Sequence, residues 1–477
     1  MKHGRFSGSI VVGMALLGAL AAVARADLQK DIQSILGDEL LHNSSVGIAI
    51  EAMPEGRVLY RHNEHQLLMP ASNMKILTTS AALNLLGADF KFRTMLVQRG
   101  DDLVLVGDGD PAFGDAELLK KSGLSATTVF EQWATQLKGK VFRHVLVDDS
   151  IFEPSAIHPR WDARQFQNKF SAEVSGMTFN LGSVDLAVKS APGGDAIFRM
   201  TPPTHYAPVR NTCVTGGRGG VIVTRMANSN EISLRGGCTA TEVTVSITVH
   251  DPALMAAQVL AETLSSGGVR FTGSVGRDRS VRAKIASGNS GITVLAVHET
   301  ALSVALARAN KDSVNLYAEC LAKRIGAAGG GEGSWESGGE AVTGFLKHIG
   351  IADTEFKVDD GCGLSRDNRV SANAIVQILQ TNFVGRYRDE FMNSLAVGGK
   401  EGTLENRFKE MRGRLIAKTG YIANVSALSG YLKGRDGEWY AFSILMNGVP
   451  SGANGRAKQL QESIVKALDT NLPRAGK

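Results

Sequence analysis

Pro70-Ala71-Ser72-Asn73-Met74-Lys75-Ile76-Leu77-Thr78 opens the clearest helix in the chain. From Met74 the run through Ile76, Leu77, Ala81, Ala82, Leu85 and Leu86 is apolar on nearly all sides until Gly87 stops it. A helix with so little charge is expected to cross the interior of a domain. Lys75 is the exception, because a buried ammonium needs an escape to solvent or a specific partner. Ser72 and Lys75, three residues apart, share a helix face, so the amine can reach the hydroxyl. A partly buried lysine whose proton affinity is lowered can take the proton of an attacking serine. The Ser72 backbone N–H would stand among first-turn donors, suited to charge developing on a carbonyl oxygen. The spacing alone does not decide. Ser463-Ile464-Val465-Lys466 repeats it, and a serine at a helix start also serves as an ordinary cap.

On the N-terminal side, Val46 to Met53 and Arg57 to His62 read as strands joined by the turn Pro54-Glu55-Gly56, after a short helix near Leu28 to Leu36. From Phe90 to about Ile285 the texture becomes β-rich, with Met255 to Leu264 as its one good helix. Helical periodicity returns in Ala301 to Arg308, Asn315 to Ile325, Ala341 to Ile349, Ala374 to Leu379 and Asp389 to Leu395, with Gly329 to Gly339 as a loop. The strands Arg414 to Thr419, Val425 to Leu432 and Trp439 to Asn447 follow, then a final helix from Ala457 to Leu468. Both ends together therefore suggest one domain around a β-rich insertion.

With 477 residues, 43% of them hydrophobic, the chain has length for several domains and material for real cores. Lys2 and Arg5, the apolar Ile10 to Val23 and then Ala24-Arg25-Ala26 have the form of a secretory signal, with cleavage expected after Ala26. Net charge then falls from +5 to +2 as Lys2, Arg5 and Arg25 leave, so the basic balance carries no argument for nucleic acid. No Gly-rich phosphate loop and no His-Glu-x-x-His pattern appears. His62 and His65 lack a third ligand at suitable spacing. The pairs Asp101/Asp102 and Asp359/Asp360 read as solvated turns. The final helix, with Lys458, Glu462 and Lys466 beside Leu460, Ile464 and Leu468, allows at most peripheral membrane contact. Oligomeric state leaves no signal.

Two more patterns bear on Ser72. Lys418-Thr419-Gly420 brings a cation and a hydroxyl to a strand, suited to a substrate carboxylate, and its glycine permits close approach. Ser313-Val314-Asn315 lies between two helices, where Ser can relay protons and Asn can hold a peptide group. Ser287-Gly288-Asn289 and Ser371-Ala372-Asn373 share its spacing. In this order, Ser-x-x-Lys, Ser-x-Asn and Lys-Thr-Gly resemble the serine acyl-transfer signature of penicillin-binding proteins and β-lactamases. The chain is similar in particular to the low-molecular-mass D-alanyl-D-alanine carboxypeptidase/endopeptidases. Further matches are Gly107-Asp108-Gly109-Asp110-Pro111, Ser313-Val314-Asn315-Leu316-Tyr317-Ala318-Glu319, Asp360-Gly361-Cys362-Gly363-Leu364-Ser365-Arg366 and Gly402-Thr403-Leu404. The resemblance covers almost all of the chain after the signal and selects Ser313 among the Ser-x-Asn candidates.

The resemblance implies an α+β, multidomain fold. Its transpeptidase-like domain, with an antiparallel sheet between helices, spans 27–96 and 286–477. Inserted domain II would take 97–175 and 250–285, and a nested β-rich domain III 176–249. It further implies Ser72 as nucleophile, Lys75 as base, Ser313, Asn315 and Lys418 as catalytic partners, and Thr419, Gly420 and Tyr421 as substrate contacts. The N–H groups of Ser72 and Tyr421 would hold the oxyanion. The implied substrates are peptidoglycan stem peptides and cross-links, with β-lactams as covalent inhibitors, in the periplasm and without metal or organic cofactor. Two departures stand out: Val314, where the family often has Asp, and Tyr421, where it often has Ser or Thr. Alternatives are a penicillin-binding recognition or scaffold protein with weak turnover, and a β-lactamase. Separately, Cys213 and Cys238 lie 25 positions apart in turn-flanked, exported sequence, so a disulfide worth roughly 3–4 kcal/mol is expected. Cys320 and Cys362 read as free.

Overall fold

The computed structural model describes residues 26–288 and 291–472; the expected signal segment therefore falls outside the described residues, save Ala26. The chain forms two compact units. The first comprises the chain up to Ser80, Asn310–Ser313 and the chain from Gly344; the second comprises Ala81–Ala309 and Val314–Thr343.

A six-stranded sheet organises the first unit. Its strands are β1 (Ser45–Met53), β2 (Arg57–His62), β3 (Ala396–Val397), β4 (Leu415–Ile422), β5 (Val425–Lys433) and β6 (Trp439–Asn447), in the order β3-β4-β5-β6-β1-β2. All neighbours are antiparallel, with Val46 facing Met446 and Lys418 facing Ser429. β1 is buried at every position after Ser45, as a strand covered on both faces must be. Helix α1 (residues 26–36) and the last helix, Asn454–Asn471, set Leu28, Ile32, Leu460, Ile464 and Leu468 into one core with Ile48, Leu428 and Phe442. The helix Ala372–Val384 packs on β1 and β6, and Tyr431 donates from its hydroxyl to the Leu379 carbonyl at 2.6 Å. Helix α2 (Met74–Leu86) is buried from Met74 to Leu83, the interior course its composition predicts.

The second unit carries a five-stranded sheet containing Lys91–Arg99, Asp102–Val106, Val145–Asp148, Val275–Arg277 and Ile292–Ala301, together with two three-stranded sheets between Ser183 and Thr248. Lys91–Arg99 and Ile292–Ala301 are paired with one another here, so the residues just before and after the expected insertion belong to its sheet. The helix Pro252–Ser266 is present as read, but Thr128–Leu137 is a helix the β-rich texture concealed. Its Phe130, Trp133, Ala134 and Leu137 form a buried face at helical spacing. The expected loop Gly329 to Gly339 is also shortened, because Trp335–His348 is helical. Ser334 and Ser337 bond reciprocally at its start, and a Cβ on Gly338 would lie 2.5 Å from the Ala322 carbonyl oxygen. The glycine there serves close helix packing rather than a loop.

The expected Cys213–Cys238 bridge is corrected: both residues are buried thiols. They lie on neighbouring parallel strands in which Cys213 faces Gly236 and Cys238 faces Thr215. They are therefore offset by two residues rather than paired in register. Among the described residues, no helix is long and apolar enough to cross a membrane.

Candidate active site

Ser72 sits in the 3-10 turn Ala71–Asn73 that feeds α2, not in the regular helix. Ala71 has φ +46°, a left-handed conformation that costs a residue with a Cβ free energy and turns the half-buried Ser72 out of the line of the helix. The turn is clamped on two sides. Asn73 donates to Ser429 Oγ at 2.7 Å, and Ser429 to Ser443 Oγ at 2.9 Å, so β5 and β6 hold it from below. From the other side comes the loop Asp360 to Asn368. Gly363, at φ +88°, lies so close that a Cβ would fall 1.8 Å from the Ala71 carbonyl oxygen.

Lys75 is fully buried. Its Nζ donates to Ser72 Oγ at 3.0 Å and to the Cys362 carbonyl at 2.9 Å. Thr78 donates to the neighbouring Gly361 carbonyl at 2.7 Å, which fixes the loop along the helix. The Asp359/Asp360 pair is therefore not a solvated turn. Asp360 is buried and accepts from the N–H groups of Gly363 and Ser365 and from Asn368 Nδ2, at 2.6, 2.5 and 2.8 Å. A carboxylate used this way folds the loop whose carbonyl steers the lysine.

A second lysine–serine pair stands beside the first. Lys418, on β4, is also fully buried, and its Nζ donates to Ser313 Oγ at 2.8 Å and to the Thr419 carbonyl at 2.8 Å. Ser313 has φ +60°, and its approach is pinned by Asn310, which donates to Thr79 Oγ1 at 3.1 Å and to Ser394 Oγ at 2.8 Å. Desolvation, and then the charge of Lys75, hold the Lys418 ammonium well below its ordinary proton affinity, with Asp312 opposing. Alternation along β4 leaves Thr419 half-buried and Tyr421 57% exposed on the other side of the strand from Lys418. A Cβ at Gly420 would meet the Pro70 carbonyl oxygen at 2.8 Å and Ser72 N at 3.2 Å, so only glycine lets the strand lie against the serine turn. β3 pairs with β4 only at Ala417 and Ile416, which ends that pairing before Lys418.

Two buried lysines, each bonded to its own serine, join three separate sequence patterns at one edge of one sheet. The family model for D-Ala-D-Ala carboxypeptidase 3 (S13) matches residues 28–470. The chain belongs to that family. It is 33% identical over 469 residues to a D-alanyl-D-alanine carboxypeptidase of Actinomadura sp. strain R39, covering 91% of this chain and 85% of the relative. Its fold matches penicillin binding protein 4 from Haemophilus influenzae with a TM-score of 0.73 at 20% identity, over 93% of this chain and 99% of the other. A penicillin G-acylated predatory endopeptidase from Bdellovibrio bacteriovorus matches with a TM-score of 0.52 at 17% identity, over 91% and 95%. The protein is thus a peptidase of the S13 family with the multidomain α+β fold its motifs imply.

In this S13 peptidase the competing motifs have ordinary uses. Ser463 is exposed on the last helix, where Lys466 pairs with Glu410 at 2.7 Å. Ser371 caps its helix through the Ala374 N–H at 2.9 Å; Asn289 lies outside the described residues. Asn315, part of the selected motif and not of a competing one, opens a helix of the second unit, Asn315–Gly326, and its Nδ2 donates to the Phe170 carbonyl at 2.8 Å. Cys362 is a buried thiol that contributes its backbone carbonyl to Lys75. Sequence reasoning did not assign a role to Thr403, whose hydroxyl accepts from Thr419 Oγ1 at 2.9 Å. The available signal was its place in Gly402-Thr403-Leu404.

Proposed function

We propose that the protein is a serine-type D-alanyl-D-alanine carboxypeptidase, and a D,D-endopeptidase on cross-links, acting on exported peptidoglycan through an acyl-enzyme on Ser72. The paired contacts Lys75–Ser72 and Lys418–Ser313 carry this reading. Lys75, in its unprotonated form, takes the Ser72 proton as Oγ attacks the carbonyl between the last two D-alanines. The N–H groups of Ser72 and Tyr421 face the oxyanion, Asn315 holds a substrate peptide group, and Thr419 with Lys418 receives the terminal carboxylate. The proton then passes through Lys418 and Ser313 to the departing amine, the C–N bond breaks, and free D-alanine leaves. Water attacks the Ser72 ester as Lys75 takes its proton; Lys75 returns that proton to Ser72 Oγ as the Oγ–C bond breaks, and the shortened peptide leaves. A β-lactam acylates the same oxygen, its opened ring remaining attached in place of a departing amine.

The carboxypeptidase name of the Actinomadura relative and the penicillin G-acylated Bdellovibrio structure support the substrate and inhibitor classes. The export signal supports a periplasmic site, with the mature chain starting at Asp27. The separate sheets between Ser183 and Thr248 support a nested module at 176–249 inside the inserted domain. Purified pentapeptide and cross-linked muropeptides, followed by mass spectrometry, test the reading. The expected outcome is loss of one alanine from pentapeptides, and conversion of dimers to monomers scored separately. A protein that binds muropeptides yet releases neither product would instead be the scaffold of the alternative reading.

A further inference from the structure

We propose that Thr403 and Thr419 form a two-hydroxyl clamp for the substrate's terminal carboxylate, with Thr403 supplying the second short hydroxyl. The inference rests on the carboxypeptidase reading and names a residue that reading does not include. The two hydroxyl oxygens lie 2.9 Å apart, Thr419 half-buried and Thr403 exposed, so both are accessible. Without substrate the Thr419 proton is directed at Thr403. A hydroxyl rotates its proton freely, and a carboxylate presents two acceptor oxygens, so each threonine can donate to one of them. Bonds to an ionised acceptor are stronger than the neutral hydroxyl–hydroxyl bond they displace.

The turn that carries Thr403 is built in advance. Its N–H donates to the Lys311 carbonyl at 2.9 Å, and Gly402, at φ +68°, packs so closely that a Cβ would lie 2.6 Å from the same oxygen. Lys311 in turn pairs with Glu401 at 3.0 Å, and the Gly399 N–H closes the turn on the Leu404 carbonyl at 3.0 Å. Lys311 is two residues before Ser313, so the stretch that supplies the proton-relay serine also anchors the threonine. Tyr421, next on the Thr419 face of β4, carries its hydroxyl at the end of an exposed ring. The short hydroxyl beside Thr419 therefore comes from a different turn.

The test compares wild type, Thr403→Val and Thr403→Ser on a peptide ending in D-Ala-D-Ala and on its C-terminal amide. Acylation by penicillin G and by its methyl ester is measured in parallel. Thr403→Val is expected to lower kcat/KM for the free acid about tenfold, mainly through KM, while leaving the amide unchanged; Thr403→Ser restores the wild-type preference. An unchanged acid-to-amide ratio, equal losses on both peptides, or failure of serine to rescue would overturn the clamp. If wild type cleaves neither peptide, the carboxypeptidase reading fails by itself. The penicillin pair then decides the clamp: loss of acid preference in Thr403→Val supports it, and an unchanged preference overturns it.

Discussion

Lys75 and Lys418 are both fully buried, an arrangement that favours release of a proton from at least one of them. Burial and the charge of Lys75 depress the proton affinity of Lys418, which suits a group that passes a proton rather than one that only carries charge. Lys75→Ala is expected to cut the rate of Ser72 acylation by about 10²- to 10⁴-fold, the range of a lost general base. Lys418→Arg keeps a cation for the substrate carboxylate but installs a guanidinium that does not deprotonate. Stopped-flow labelling with a fluorescent penicillin should therefore show slowed acylation in Lys418→Arg, with binding weakened less than in Lys418→Ala. Full-rate acylation by Lys418→Arg would remove the proton relay from the account. These residues were visible in the sequence as Ser-x-x-Lys and Lys-Thr-Gly. Asp312 and the Cys362 carbonyl were not, since neither a solvated-looking aspartate nor a backbone oxygen leaves a motif.

At the level of elements, the serine turn is held between β4 and the Asp360 loop, and glycine is required at both contacts. Gly420→Ala puts a methyl 2.8 Å from the Pro70 carbonyl oxygen, so the strand and turn must separate by several tenths of an ångström. Misplacement on that scale is expected to lower acylation by up to about 10²-fold, with little loss of thermal stability because the sheet register is kept. Gly363→Ala is harsher: φ +88° and a contact of 1.8 Å leave no room. It should lower both Tm and labelling, whereas equal effects of the two substitutions on Tm would argue against this division of roles. Strands β1, β2, β5 and β6 were readable almost to their ends from apolar runs and turn signals. Thr128–Leu137 carried the signal as well, since Phe130, Trp133, Ala134 and Leu137 keep helical spacing, but the β-rich texture of the longer stretch around it overrode that signal. The Cys213–Cys238 pairing failed on a quantity that sequence spacing does not contain, the register of two parallel strands.

Across the whole molecule, stability should carry a pH signature set in the second unit. Asp110 is buried, and desolvation with help from Asp108 pushes its carboxyl up to about 6, against hydrogen bonds from Thr300 and the Ala112 N–H. Its folded value lies above the ordinary one near 4, so the native state binds that proton more tightly. The stabilisation is full below about pH 4 and lost as pH rises through about 6, a change of ~3 kcal/mol for this group. Asp110→Asn should flatten the Tm profile between pH 4 and 6, and an unchanged slope would show the group is not titrating there. The sequence displayed Asp110 only as part of a turn-rich stretch; its burial depends on Thr300, 190 residues away.

The proposed catalysis stands or falls with a covalent acyl-enzyme on Ser72. Intact-mass and digest mass spectrometry of the protein after brief exposure to penicillin G measures it directly. One added penicilloyl mass is expected on the peptide containing Ser72, absent in Ser72→Ala and present at the wild-type level in Ser463→Ala. An adduct on any other residue, or full labelling of Ser72→Ala, would contradict it.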